Sequence, residues 1–201
     1  MVTQLRPGRA DEAAAAACLI RASDPPYYDF WLGPETAALA CLEKLWRAPV
    51  GSLSHDRFQV WRERDEPIAL VSHYPAVQEG ELAAEDVIAQ AQLRGDQAKL
   101  QRREAMLAWL FPHLPDEVWY LRTLAVVASQ RGQGLGARIL DDIAATARAH
   151  GATSLQTDVD SGNPGAVNFY RRNGFETVVE TRVPMLEAFA LPVSLRMAKM
   201  L

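Results

Sequence analysis

Cysteine is almost missing from this chain. Two stand among 201 residues, Cys18 and Cys41. Two cysteines make neither a disulfide framework nor a zinc site, and no metal is expected. Both sit in helical patterns among Ala and Leu, where each is expected as a small buried hydrophobe. A catalytic thiol is the competing reading. Such sparing use of cysteine points to a reducing, cytoplasmic setting. A cationic excess is missing too: 21 Lys and Arg face 25 Asp and Glu, a net charge of -4. That argues against a dedicated nucleic-acid binder. No apolar run reaches the ~18 residues that a membrane helix needs. The N-terminal "MVTQLRPGRADEAAAAACLI" lacks a basic-then-apolar signal layout, and is expected as a helix of the mature protein. Internal repeats and low-complexity tails are likewise missing. What remains is a chain of 49% hydrophobic residues, long enough for a single domain over 1–201 with a real core.

Periodicity then organises the chain. A short strand is expected within residues 2–7 and a helix over 10–22. Pro25, Pro26 and Gly33-Pro34 interrupt "SDPPYYDFWLGP" (23–34), which reads as an aromatic-rich loop. Residues 35–47 place Ala38, Leu39, Leu42, Leu45 and Trp46 at helical spacing. Strands at 57–63 and 68–74 flank the turn "RDEP" as a hairpin. In the first, Phe58 and Val60 alternate against Gln59 and Trp61. Residues 81–111 are mostly helical, with Gly95-Asp96 as an interruption and Pro112 and Pro115 as the end. A long strand covers 117–128. Beyond residue 134, Leu135, Ile139, Leu140, Ile143, Ala144 and Ala147 form an apolar helical stripe. A strand follows at 153–160, a short helix at 163–174 and closing strands at 175–182 and 192–201. The short helix has an Asn N-cap, Pro at its first position and Gly beyond its end. This order makes a mixed α/β sheet with helices on both faces.

The densest local signal is "SQRGQGLGARIL" (129–140), in which Gly132, Gly134 and Gly136 lie between a strand and a helix. The first N–H groups of a helix lack partners, and its dipole favours negative charge there. A phosphate or pyrophosphate ligand is one reading; a glycine-rich turn packed for steric reasons is the other. A P-loop needs Lys and Ser/Thr after the last Gly, where this chain has Ala137-Arg138. Gly132, Gly134 and Ala137 fit the dinucleotide fingerprint, with Asp158 or Asp160 as its acid. Too little chain follows for the remaining βα units, which disfavours an NAD-dependent oxidoreductase.

"LAVVASQRGQGLGARIL" (124–140) resembles motif A of the GNAT superfamily of acyl-CoA-dependent N-acetyltransferases: a strand, then Gln/Arg-x-x-Gly-x-Gly/Ala at Arg131, Gly134 and Gly136, then a helix. "NPGAVNFYRRNGFE" (163–176) resembles motif B at Asn163, Ala166, Phe169, Tyr170, Gly174 and Phe175. The matched core spans about 117–180, and the segment 81–115 is longer than the family pattern leads one to expect.

The resemblance implies a mostly antiparallel sheet splayed between the strands at 117–128 and 153–160. It implies acetyl-CoA as cosubstrate, with its pyrophosphate over Arg131, Gly132, Gln133, Gly134, Leu135, Gly136 and Ala137. The pantetheine arm would lie along Leu124, Ala125, Val126 and Val127, near Asn163 and Tyr170. A backbone N–H near Ala125 or Val126 would polarise the thioester. Tyr170 would protonate the departing thiolate; its competing role is to anchor the short helix. Candidates for the base are Glu117, Tyr120, His113, His73 and Asp158. Tyr120 leads them, as a residue expected on one strand face with Arg122 and Leu124, although a strand tyrosine also packs. The acceptor is a small-molecule or peptide amine. Its wall is expected at Tyr27, Tyr28 and Asp29, with Asp24 adding charge and His73 within reach; an aromatic face favours a cation by about 0.5–2 kcal/mol. Transfer is expected to be direct, with the acetyl group passing to a primary amine. A non-catalytic acyl-CoA sensor on the same fold is the alternative. The closing strands leave room for a homodimer.

Overall fold

The structure, a computed structural model, describes residues 5–93, 95, 97–191 and 193–201. Residues 2–4 of the expected first strand, Arg94 of the expected helical segment, Asp96 of the expected interruption and Pro192 at the start of the last strand lie outside the described residues. Seven strands form one sheet in the order β1-β2-β3-β4-β5-β7-β6. They are β1 Arg6–Pro7, β2 Gln59–Glu63, β3 Glu66–Pro75, β4 Val118–Val126, β5 Ser154–Asp160, β6 Glu176–Arg182 and β7 Val193–Met200. Every neighbouring pair is antiparallel except β4 and β5.

Helices cover both faces. On one lie α1 Ala13–Ser23, α2 Pro25–Leu32 and α3 Glu35–Arg47, whose core includes Ile20, Leu42, Trp46, Leu70 and Ala125. On the other lie α6 Leu135–Ala149 and α7 Pro164–Arg172, packed on Leu121, Leu155 and Met197. The expected stripe of α6 is buried at Ile139, Leu140, Ile143, Ala144 and Ala147. Each large aliphatic residue there contributes about 1.5–3 kcal/mol of burial. Between β3 and β4 run α4 Glu79–Gln90 and α5 Gln97–Leu107, and α8 Pro184–Glu187 precedes the last strand.

Three expectations need correction. "PPYYDFWL" is a helix, not a loop: Asp24 caps it by accepting from the Tyr27 N–H at 3.2 Å, and the prolines fill positions whose N–H needs no partner. Cys18 is exposed and Cys41 half-buried, so neither is fully buried as expected. In β2, Val60 and Trp61 are both buried, on opposite faces, because helices cover both sides of the sheet. Among the described residues, no helix is long and apolar enough to cross a membrane.

Candidate active site

The central event of the sheet is a parting of strands. β4 and β5 pair in register only at Val118↔Ser154, Trp119↔Leu155 and Tyr120↔Gln156. Beyond Tyr120 the ladder stops, and a gap opens toward the N-terminus of α6. The Val127 N–H donates to the Ile68 carbonyl on the β3 side at 2.9 Å. Alternation along a strand therefore turns the main-chain groups of Leu124 and Val126 into the gap, and those of Ala125 toward β3. The Val126 carbonyl accepts from Arg131 Nε at 2.9 Å, across the turn that follows β4.

That turn explains the glycines. Gly132 (φ 76°) and Gly134 (φ 82°) are left-handed, a conformation costing other L-residues about 1–2 kcal/mol. No atom lies within 4 Å of where their Cβ atoms would be, so the space above the turn is open. Gly136 has a different cause: its Cβ would stand 3.0 Å from Phe169 Cζ, so its smallness seats α6 against α7. Among the described residues, no side chain caps α6, which leaves its first-turn N–H groups facing the open space.

At the other end of the gap lies a cleft of about 430 Å³. Its walls come from the start of α2 (Asp24, Tyr27, Tyr28), β4 (Tyr120, Arg122, Thr123, Leu124), β5 (Thr157 to Asp160) and α7 (Asn163, Ala166, Tyr170), with Tyr74, Glu79, Phe111 and Arg196. The long 79–111 segment thus closes the cleft, through Glu79 and through Phe111, whose ring centroid is 5.9 Å from that of Tyr27. Asn163 caps α7, accepting from the Ala166 N–H at 3.0 Å. The Tyr170 hydroxyl lies beside Thr157, which pulls its pKa down, while burial pushes it up to about 12, so it holds its proton at neutral pH.

Just past the last ladder pair, the Tyr120 O–H donates to Asp158 Oδ2 at 2.9 Å. Arg196 clasps the same carboxylate with Nε and Nη2, each at 2.8 Å, and donates from Nη2 to the Pro112 carbonyl at 2.9 Å. Burial raises the Asp158 pKa, while the guanidinium and the phenol O–H oppose that rise. Tyr120 itself is held protonated by burial and by the neighbouring Asp158, far above the usual phenol range. Together they form a buried clasp from β4 to β5 to β7, at the point where the sheet begins to part.

Several predicted residues lie elsewhere. Asp29 points away from the cleft and binds Arg21 through two 2.8 Å hydrogen bonds between α1 and α2. His73 faces the α6 side, accepts from Trp119 Nε1 at 2.8 Å, and lines a separate cleft with Pro7 and Phe58. Burial drives its pKa to about 4, so it is neutral. His113 and Glu117 are exposed and outside the cleft. Leu124 does not share the face of Tyr120 and Arg122. The register with β3 jumps from Ser72↔Thr123 to His73↔Leu121, so Arg122 is an extra residue and the faces invert beyond it.

Two residues escape the sequence reading. Arg122 is one. Asp24 is the other in its chemistry: burial raises its carboxyl to about 7, the Tyr27 N–H pulls it down, and Asp160 pushes it up. The sequence reading gives Asp24 only a share of the charge at the acceptor wall; neither its helix cap nor its burial shows in "SDPP".

Comparison with known proteins points the same way. The sequence pattern of the Acetyltransferase (GNAT) family matches residues 22–175. An L-2,4-diaminobutyric acid acetyltransferase from Nocardia farcinica (strain IFM 10152) is 28% identical over 91 residues, 43% of this chain. The chain thus spans 45% of that curated relative. An N-acetyltransferase structure from Staphylococcus aureus Mu50 superposes with a TM-score of 0.72 at 15% identity, over 97% of this chain and 99% of the other. An apo-form variant of agmatine N-acetyltransferase superposes with a TM-score of 0.58 at 16% identity, over 98% and 99%. The seven-stranded, mostly antiparallel sheet with helices on both faces is the fold of these neighbours. With most of its length inside the matched pattern, the chain belongs to the acetyltransferase (GNAT) family.

Proposed function

We propose that this protein is an N-acetyltransferase that passes the acetyl group of acetyl-CoA directly to a primary amine. The observation that carries this reading is the gap between β4 and β5, which joins the bare first turn of α6 to the cleft. The turn suits a pyrophosphate: two left-handed glycines leave open space above uncapped N–H groups. Residues Arg131 to Ala137 would hold that group. Leu124 and Val126 would hydrogen-bond the pantetheine arm as an added strand does, with Val127 lining its course and Asn163 and Tyr170 beside its reactive end. When bound, acetyl-CoA supplies the acyl group and a thiol leaving group.

The chain's own residues do the rest. The Val126 N–H faces the gap and is suited to stabilise negative charge on the thioester oxygen. An amine must lose a proton before it can attack. Asp24, half-charged near neutral pH, is the cleft group suited to take that proton. As the nitrogen–carbon bond forms and the carbon–sulfur bond breaks, Tyr170 gives its proton to the sulfur. Tyr120 and Asp158 act as clasp rather than base, because each is engaged by the other. Tyr27 and Tyr28 form the acceptor wall. The diaminobutyric acid and agmatine enzymes among the relatives support a small amine as acceptor.

The test is a thermal-shift panel of acetyl-CoA, other acyl-CoAs, NAD and ATP, followed by amines screened for thiol release. A ligand at a hundred times its Kd adds about 2.7 kcal/mol. Absence of a shift with any CoA species sinks the reading. A shift without thiol release for any amine leaves an acyl-CoA-binding protein and no transferase.

A further inference from the structure

Arg122 differs from the other arginine that lines the cleft. Arg196 is saturated by Asp158 and Pro112. Among the described residues, no carboxylate lies within 4 Å of the Arg122 guanidinium, and its buried Nε has no hydrogen-bond partner. The β4 bulge inserts this residue into the strand and aims it into the cleft. Its surroundings are phenols: Tyr74, Tyr27 and Tyr28 lie close enough to interact with its charge. Burial alone would lower its pKa, yet Tyr74, Asp86, Tyr27 and Tyr28 keep it above the ordinary value. Two acids near enough to feel its charge are engaged elsewhere: Asp86 accepts from Ser52 N at 2.7 Å and from Ser52 Oγ, and Glu104 accepts from Gln90 Nε2 at 2.8 Å. The cleft is therefore bipolar. Asp24 and Asp160 supply acid near the start of α2 and the end of β5, while an unanswered guanidinium stands on β4.

A buried cation is costly unless it is paired, and a guanidinium fork matches a carboxylate in shape and charge. We propose that Arg122 binds a carboxylate of the acceptor, so that the preferred substrates are amines that also carry a carboxylate, in the manner of a basic amino acid. Tyr27, Tyr28 and Tyr74 surround the same position with protonated hydroxyls that can donate to that carboxylate. The amine end then lies toward Asp24. This inference rests on the transferase reading above and narrows its acceptor.

The experiment compares acceptors that differ only by the carboxylate: ornithine against putrescine, arginine against agmatine. In the wild-type protein, kcat/KM for the acid member is expected to exceed that of its decarboxylated partner by about 30-fold or more, the scale of leaving one buried charge unanswered. In Arg122→Met the ratio is expected to fall to about threefold or less, through KM, while Arg122→Lys keeps part of the preference. A coenzyme A thermal shift checks that each variant folds; should Arg122→Met not fold, the wild-type ratio decides. Equal or better use of the diamines by the wild type overturns the proposal, as does an acid preference that survives Arg122→Met. If no amine is acetylated, the same pairs are titrated calorimetrically into the CoA-loaded protein. Tighter binding of the acids that depends on Arg122 then upholds the carboxylate site although the transferase reading has failed, and no difference in binding overturns it.

Discussion

Replacing Arg196 with Met tests the clasp. The two side chains of the ion pair are 3% and 4% exposed, so water does little to screen them. The change deletes two 2.8 Å hydrogen bonds to Asp158 and one to the Pro112 carbonyl, and removes a cation 5.6 Å from the Tyr120 ring centroid. Met fills much of the same volume, so the main loss is electrostatic. Removing one partner of a buried pair costs about 3–5 kcal/mol, because the other charge stays buried. For a chain of 201 residues, that lowers Tm by roughly 10 °C. The sign of the pH dependence follows from Asp158. Without Arg196 its folded pKa rises further above the unfolded value near 4. The folded state then binds a proton more readily than the unfolded state, so the deficit is full above the raised pKa and shrinks as pH falls toward 4. Urea unfolding at pH 5 and pH 8 measures this. Adding Asp158→Leu should restore most of the lost stability, since it removes the stranded charge. A single-variant loss under about 1 kcal/mol, or a double variant worse than the single, would show that Arg196 packs rather than neutralises.

Tyr170→Phe should lower kcat by about tenfold while leaving the KM for acetyl-CoA nearly constant, because a thiol of pKa near 8.5 departs tolerably without an acid; unchanged kcat removes the acid role. Asp24→Asn keeps the α2 cap, since Asn caps as well as Asp. In the wild type, kcat should rise through an apparent pKa near 7 as Asp24 loses its proton, and the variant should lose that limb and about a hundredfold in rate at pH 8. A retained limb assigns the base elsewhere. Gly136→Ala pushes a methyl group against Phe169, costing about 1–3 kcal/mol and weakening acetyl-CoA binding by misplacing the first turn of α6. Phe169→Leu in the same chain should recover the binding, and failure to do so would mean that strain at residue 136 comes from another source.

What was legible in the sequence was local. Asn163, Pro164 and Gly174 write the limits of α7 within a dozen residues, and the structure shows the Asn163 cap and a left-handed Gly174 (φ 84°). The glycine turn is likewise a short-range signal. What stayed hidden is long-range. Asp158 and Arg196 are 38 residues apart, and only the β5–β7 register brings them opposite one another. Two adjacent prolines break a helix when read from their N-terminal side, and start one when Asp24 caps it. The bulge at Arg122 leaves no mark in "EVWYLRTLAVVA", whose alternation looks uninterrupted and puts Leu124 on the wrong face, so the charge that Arg122 turns toward the cleft is not legible there. Burial is the main cause that raises the Asp24 carboxyl and lowers the His73 imidazole, each toward its neutral form, and burial is a property of the folded chain.

The parting of β4 from β5 also bears on how the molecule comes apart. Among the described residues, three register pairs and one bond just before them, from the Thr153 N–H to the Glu117 carbonyl at 3.0 Å, make the main-chain join between the half-sheet β1–β4 and the half-sheet β5–β7. The rest of the join is made by helices lying across it and by the Tyr120–Asp158–Arg196 clasp. A ligand lying in the gap as an extra strand would complete the ladder and weld the halves together. Its signature would then be one of cooperativity: a steeper denaturant slope, and amide-exchange protection gained on both sides of the seam at once, from Leu124 and Val126 across to Asp158 and Asp160, whose main-chain groups turn away from β7.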